Sequence, residues 1–154
     1  MTAPINLHDL ALEGDADDPE GYRKRMLSFG ALIGAEALGG SVYELDPGDS
    51  TFPYHYECVE EEWLLVLTGT PSLRDPDGEH VLAPGDLVCF PPGPEGAHKV
   101  TNRSHAPVRI LLFSTVPKPR ISISVYPDSD KVAVWPPGKR LRMADGLGYW
   151  DGEV

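Results

Sequence analysis

Two histidines and two glutamates in this sequence have the residue types and the spacing of a metal site. His55 and Glu57 lie two residues apart in an aromatic-rich segment, so their side chains leave the same face if that segment is a strand. Glu62 opens the next apolar run, and His98 opens a later one. If these strands are neighbours in a barrel, the four side chains meet at one interior point. Imidazole and carboxylate together suit a divalent first-row metal such as Mn, Fe, Ni, Co or Zn. We therefore predict a divalent metal ion held by these four residues.

Each of these side chains also has an interpretation that needs no metal. His55 taken alone is more typical of a hydrogen-bonded structural histidine. Glu57 could face solvent or pair with a cation, and Glu61 could take the ligand position instead of Glu62. Without a metal, Glu57 and Glu62 would repel each other and one pKa would rise. No catalytic acid or base is predicted from the sequence, so the catalytic residues are unknown from it.

The elements that must position these residues are short strands. From Ser41 to about Val125, apolar runs alternate with turn signals such as Pro76-Asp77-Gly78. This close spacing leaves no room for crossover helices and predicts an all-β sandwich or barrel. A short helix is predicted at Gly21–Leu27. The predicted strands are Ser41–Asp46, Thr51–Glu57, Glu62–Thr68, Glu79–Leu82, Leu87–Phe90, His98–Asn102, Val108–Val116 and Ile121–Tyr126.

Two of these runs indicate that something covers the outside of the barrel. Trp63–Leu67 and Val108–Phe113 are apolar at odd and even positions alike, which is typical of strands buried on both faces. A single small barrel would leave one face of each strand in water. The cover is either the N-terminal segment or a second subunit, and we expect a homodimer.

The residues around His55 resemble the first motif of the cupin superfamily. In that motif a glycine precedes a His-x-His pair, a glutamate and a second glycine. Here Gly48 is followed after six residues by His55-Tyr56-Glu57, then after four by Glu62, and after six more by Gly69. The sequence departs from the family at Glu57, which stands where most metal-binding cupins have their second histidine.

The residues around His98 resemble the second cupin motif, a glycine followed by Pro-x-Gly, a histidine and an asparagine. Here these positions are Gly85, Pro91-Pro92-Gly93, His98 and Asn102, with two extra residues before the histidine. The resemblance implies a double-stranded β-helix, or jelly-roll, barrel. Its implied organisation is an irregular N-terminal extension packed on the barrel, the barrel itself and a C-terminal tail, at residues 1–40, 41–126 and 127–154.

The resemblance also narrows the function. The wider sequence is similar to small single-domain bacterial cupins of undefined activity. Metal-binding cupins include dioxygenases, oxalate-type decarboxylases, isomerases and lyases, which implies a metal-dependent enzyme acting on a small molecule. The alternative is a non-catalytic cupin that binds a small ligand such as a sugar, with or without metal. Metal-free epimerase cupins fit less well, because they lack the metal motif.

Composition excludes several other classes of protein. A chain of 154 residues is the size of one domain, and 16 glycines with 16 prolines are unfavourable for a helical bundle. The formal net charge is −11, which disfavours binding to nucleic acids or anionic membranes. No apolar run approaches the roughly 20 residues of a membrane span. We expect no signal peptide, and the isolated Cys58 and Cys89 favour the reducing cytoplasm.

Overall fold

The computed structural model describes residues 3–153 as an all-β jelly roll. Met1, Thr2 and Val154, which belong to the expected N-terminal extension and C-terminal tail, lie outside the described residues. The largest sheet has six antiparallel strands in the order β1-β2-β3-β10-β5-β8. These strands are β1 (Glu13–Gly14), β2 (Arg25–Ser28), β3 (Leu38–Leu45), β5 (Glu62–Thr68), β8 (Leu87–Phe90) and β10 (Val108–Thr115).

Two smaller sheets complete the fold. A four-stranded sheet has the order β13-β12-β11-β4, and a three-stranded sheet has the order β7-β6-β9. Short 3₁₀ turns connect several of the strands. The strands of these sheets are β4 (Tyr56–Glu57), β6 (Ser72–Asp75), β7 (Gly78–Val81), β9 (Lys99–Thr101), β11 (Ser122–Tyr126), β12 (Lys131–Trp135) and β13 (Lys139–Arg142), and the 3₁₀ turns are Gly30–Ile33, Pro94–Gly96, Pro127–Ser129 and Met143–Asp145.

The apolar core lies inside the barrel, and strand alternation determines which side chains reach it. In β5, Leu64 and Val66 are buried, whereas Trp63 and Leu65 are only partly buried. Because side chains alternate between the faces of a strand, Glu62 shares the inward face with Leu64 and Val66. A carboxylate is therefore directed toward an interior that is otherwise apolar. The fully buried core side chains include Leu45, Leu64, Val66, Val100, Val108 and Ile110.

The N-terminal segment covers part of the outer face of the largest sheet. Arg109 of β10 donates hydrogen bonds to the backbone oxygens of His8 and Leu10, which ties the segment across that strand. Gly40 of β3 lies against the Phe29 ring, where an added Cβ would come within 2.6 Å of the ring. One of the two expected covers of the apolar strands is thus present within the chain.

The structure differs from the sequence predictions at several elements, including β12 and β13, which lie in the segment expected to be a C-terminal tail. Gly21–Leu27 is not a helix, because the chain there enters β2 and pairs in register with β3. Regular pairing within Thr51–Glu57 is limited to β4, since Pro53 has no backbone N–H to donate to a ladder. The short strand β6 was not predicted, because its four residues, Ser72–Asp75, include only one large apolar side chain.

Candidate metal centre

A pair of backbone hydrogen bonds brings His55 and His98 side by side. The His55 N–H donates to the His98 oxygen at 3.1 Å, and the His98 N–H donates to the His55 oxygen at 2.8 Å. This isolated antiparallel bridge directs both imidazoles to the same side, with ring centroids 4.8 Å apart. Glu62 reaches the same point from the start of β5. His55 and Glu62 of the first motif and the distant His98 of the second therefore meet inside the barrel.

The distances within this trio suit a single ion. The Nε2 atoms of His55 and His98 lie 3.9 Å and 3.7 Å from Oε2 of Glu62, and one ligand atom from each residue falls within 4.8 Å of the others. Two ligand atoms bound at about 2.1 Å to the same ion lie about 3 to 4 Å apart. The spacing agrees with that geometry, so the donor positions fit a divalent metal.

Backbone carbonyls set the tautomer of both histidines. His55 Nδ1 lies 2.9 Å from the Pro53 oxygen, and His98 Nδ1 lies 2.9 Å from the Gly96 oxygen. Because a carbonyl only accepts, Nδ1 carries the hydrogen in each ring and Nε2 keeps its lone pair. Those lone pairs are the ones directed at Glu62. Such carbonyl contacts are the usual means of orienting a metal-binding histidine.

No side chain of the trio carries a positive charge near neutral pH. Burial lowers the pKa of His98 to about 4, with a smaller effect from His55, whose own pKa is also lowered by burial. Both imidazoles are thus neutral near pH 7. Burial, followed by the nearby Glu57 and Glu60 carboxylates, raises the pKa of Glu62 to about 8. Its Oε2 atom is buried and has no hydrogen-bond partner. A divalent cation would supply the missing charge and the missing partner together.

Glu57 lies beside the trio without joining it. Its Oε1 atom is 3.9 Å from Nε2 of His55, a separation that matches those within the trio. The same carboxylate accepts hydrogen bonds from the hydroxyls of Ser124 at 2.6 Å and Ser122 at 3.4 Å. Burial raises the pKa of Glu57, and these two bonds oppose that shift. Of the four residues predicted as ligands, the structure brings together His55, Glu62 and His98 and positions Glu57 at their edge.

Glu61 is directed away from the centre. Its Oε1 atom accepts a hydrogen bond at 2.8 Å from the indole nitrogen of Trp63, on the outer face of the sheet. Glu61 immediately precedes Glu62, and a step of one residue along a strand reverses the face to which the side chain points.

A cavity of about 240 Å³ lies next to Glu57, on the other side of the serines that donate to it. Three of its lining residues also contact the predicted ligands. Ser122 and Ser124 donate to Glu57, and the Tyr126 ring stacks on the His55 ring at a centroid distance of 5.6 Å. These residues were not predicted as part of a site, although the alternation Ser-x-Ser-x-Tyr in β11 is a signal for one polar face. The cavity is lined by Ser122, Ser124, Tyr126, Ala133, Val134, Trp135, Gly138, Lys139 and Arg140.

The comparisons with known proteins agree with the fold and the motifs. Residues 41–114 match the cupin domain family, and that range contains both predicted motifs. This part of the chain is a cupin domain. Among proteins with curated descriptions, none matches the sequence.

Solved structures of other cupins resemble this one over most of its length. A sugar phosphate isomerase from Silicibacter pomeroyi is 25% identical, with a TM-score of 0.79, 97% of this chain covered and 98% of that chain. A candidate sugar phosphate isomerase from Acidithiobacillus ferrooxidans is 24% identical, with a TM-score of 0.80 and coverages of 92% and 91%. The polyketide cyclase RemF from Streptomyces resistomycificus is 21% identical, with a TM-score of 0.60 and coverages of 75% and 80%. The last two likenesses are of fold alone.

The long apolar helix that a membrane span would need does not occur in residues 3–153 of this cupin.

Proposed function

We propose that this cupin is a metal-dependent enzyme that isomerises a small hydroxycarbonyl compound of the sugar type. The observation that carries the proposal is the trio of His55, Glu62 and His98, with two Nε2 lone pairs and an unpartnered carboxylate oxygen directed at one point. A set of two histidines and one carboxylate is known to hold a divalent metal while leaving positions for substrate. Glu57, at 3.9 Å from His55, is proposed either as the fourth ligand that the sequence predicts or as the proton-transferring group described next, and the two roles are alternatives.

The chemistry that a divalent cation would supply when bound here is polarisation of a substrate carbonyl and its neighbouring hydroxyl, which acidifies the C–H of the hydroxyl-bearing carbon. The chain itself must then move a proton. Glu57 is the carboxylate between the trio and the cavity, and its raised pKa brings it closer to the value that suits proton transfer near neutral pH. The serine hydroxyls that donate to it hold the carboxylate in place. We propose that Glu57, where it does not bind the ion, accepts the proton from the hydroxyl-bearing carbon and returns it to the former carbonyl carbon, while the hydroxyl proton passes to the former carbonyl oxygen.

Similarity to a solved structure supports an isomerase rather than an oxygenase or a decarboxylase. The Silicibacter pomeroyi protein, which matches nearly the whole of this chain, is described as a sugar phosphate isomerase. The match extends through the C-terminal strands that form the cavity.

The test is metal analysis followed by an activity assay. The untagged protein is purified without chelator, and its metal content is compared with that of His98→Ala and of a control, His80→Ala. His80 is an exposed histidine on β7 that contacts Asp75 and is not one of the trio. We expect near-stoichiometric metal in the wild type and the control and a strong loss in His98→Ala. Isomerisation of aldose and ketose substrates should follow the metal. Metal retained by His98→Ala would overturn the site.

A second function is favoured by the charge of the proposed ligand set. Two carboxylates and two neutral histidines make a centre with a divalent cation formally neutral, which activates a bound substrate less than the usual cupin set. This favours a non-catalytic cupin that binds a small sugar-like ligand. Stoichiometric metal and ligand binding without turnover, under conditions where the metal is retained, would support the binding function over the enzyme.

Assembly and location complete the proposal. We propose a homodimer formed through the part of the outer sheet face that the N-terminal segment leaves open, where Trp63, Leu65 and Leu87 are partly or largely exposed. A cytoplasmic location is supported by two free and exposed cysteines, Cys58 and Cys89, which suit a reducing compartment.

A further inference from the structure

The cavity beside the metal centre has one cationic end. Lys139 and Arg140 of β13 line it on the side away from Glu57. Within residues 3–153, neither side chain has a carboxylate within ion-pair distance, whereas Arg25, Arg74 and Arg103 each have one. In a chain with a net charge of −11, unpaired basic groups at a cavity are available to an incoming anion.

The strand register explains the space in the cavity between Ser124, which contacts Glu57, and Arg140. Ser124 pairs with Ala133, and Ala133 pairs with Arg140, so the three residues form a row across β11, β12 and β13. Two strand spacings separate the backbones of Ser124 and Arg140 by about 10 Å. The middle position holds only the methyl group of Ala133, which leaves the floor of the cavity open.

We propose that this cavity binds the phosphate end of a phosphorylated sugar, with Arg140, on the same strand face as Ala133 and Ser124, as the anion-binding residue. A guanidinium matches the oxygens of a phosphate monoester through paired hydrogen bonds. The hydroxyl-bearing end of the same molecule then lies over Ala133 and reaches Ser124, Glu57 and the metal trio. The orientation of the substrate rests on the proposed isomerase function, but anion binding by Arg140 does not.

Trp135 lines the cavity, and its fluorescence can be used to detect a bound molecule. It is 56% exposed, so a bound molecule would change its environment. The indole face is also a suitable surface for the apolar face of a sugar. Its fluorescence, with Trp135→Phe as the background control, provides a binding signal that does not depend on turnover.

The experiment measures binding of ribose 5-phosphate, ribose and inorganic phosphate by calorimetry and by Trp135 fluorescence. Three variants are compared with the wild type. Arg140→Gln removes the charge, and Ala133→Leu fills the floor without changing charge. Arg142→Gln is the matched control, since Arg142 is on the same strand but does not line the cavity.

We expect ribose 5-phosphate to bind more tightly than ribose. Arg140→Gln should weaken ribose 5-phosphate about tenfold or more, the loss expected for a charge-assisted hydrogen bond, and should leave ribose unchanged. Ala133→Leu should weaken both sugars, and Arg142→Gln neither. Equal binding of ribose and ribose 5-phosphate, no binding of ribose 5-phosphate, or an unchanged affinity in Arg140→Gln would each overturn the proposal.

A separate arm distinguishes this proposal from the metal site. In His98→Ala, the metal should be lost while inorganic phosphate still binds and still depends on Arg140. Loss of phosphate binding in Arg140→Gln with full metal content would support the anion site alone. If the metal content is normal and phosphate affinity is the same in Arg140→Gln as in the wild type, the proposed anion site is wrong. The proposed metal site is not affected by that result.

Discussion

At the scale of single residues, the most consequential side chain is a carboxylate without a partner. Glu62 is partly buried near Glu57 and Glu60, its Oε2 atom is fully enclosed, and its pKa is raised to about 8. The folded metal-free protein therefore holds a proton on Glu62 that the unfolded chain has released at neutral pH. Its stability should fall by about 2 kcal/mol as the pH rises from about 6.5 to 8. The lowered pKa values of His55 and His98 act in the opposite direction, but below about pH 6.5.

Urea unfolding at several pH values in the presence of chelator measures this dependence. Glu62→Gln, which keeps the shape and removes the titration, should flatten the slope between pH 6.5 and 8. Saturating metal should also remove it, because the ion keeps Glu62 ionised in the folded state. A slope that is the same in wild type and Glu62→Gln would show that another group causes it.

Glu57 is the residue whose two proposed roles are easiest to separate. Glu57→Gln preserves an oxygen ligand and the ability to accept from Ser124, but it removes the carboxylate that takes up a proton. We expect metal content close to that of the wild type, because the trio remains, and a loss of turnover of at least 100-fold, within the usual range for a general base. Metal analysis and kinetics on the same sample measure both. Loss of metal with unchanged activity per metal would assign Glu57 to the ligand role alone.

The sequence could predict the trio but not the surroundings of Glu57. His55, Glu62 and His98 lie on strand faces that alternation and the cupin motifs both indicate. The serines that hold Glu57 are 65 and 67 residues away, and β4 meets β11 only through the folded sheet. Nothing local to Glu57 signals that pairing, so the cavity and its cationic end emerge only from the structure.

At the scale of the elements, Asn102 joins the ends of strands rather than taking part in chemistry. It is fully buried, and its Nδ2 donates to the backbone oxygens of Leu45 and Ala106 at 2.9 Å. Its Oδ1 accepts from the Ser104 N–H and hydroxyl. The amide thus connects the end of β3 with the turn that follows β9. The asparagine of the second cupin motif has a structural role in this chain.

Asn102→Ala should therefore destabilise the protein without changing the metal site. Removing the amide leaves buried carbonyl oxygens without donors, which costs on the order of 3 kcal/mol. Urea unfolding would measure the loss, and metal titration of the folded variant should give nearly the wild-type affinity. Asn6→Ala, at an exposed asparagine bonded to Asp9, is the control. A large drop in metal affinity for Asn102→Ala would indicate that the turn also positions His98.

Element boundaries were predictable where apolar alternation and turn residues agree. The predicted ranges of β5 and β8 match the structure, because Gly69 and Pro91 end runs with clear apolar character. β2 was assigned to a helix because its sequence has no strand alternation of its own. It becomes a strand through partners on β3 and beyond, since Arg25 bonds to both Glu44 and Asp46. Long-range pairing of this kind overrides local preference.

At the scale of the whole molecule, the outer face of the largest sheet is only partly covered. The N-terminal segment shields β10 near Arg109, and Val42 and Leu111 beneath it are buried. Toward the β8 edge the sheet is open. There Leu87 pairs with Leu65 and is 55% exposed, while the rings of Trp63 and Phe113 stack at 6.0 Å. A second copy placed against this open part would complete the layer that strands apolar on both faces require.

Leu87→Glu tests the proposed dimer with little risk to the fold, because the side chain is already exposed in the single chain. We expect the wild type to sediment as a dimer and Leu87→Glu as a monomer, since a charge in an apolar interface is left without a partner. Val81→Glu is the matched control: Val81 is 75% exposed but lies on β7 of a different sheet. Both variants should keep their metal, because neither residue approaches the trio. A wild type that sediments as a monomer at micromolar concentration, or a Leu87→Glu variant that stays dimeric, would remove this face as the interface.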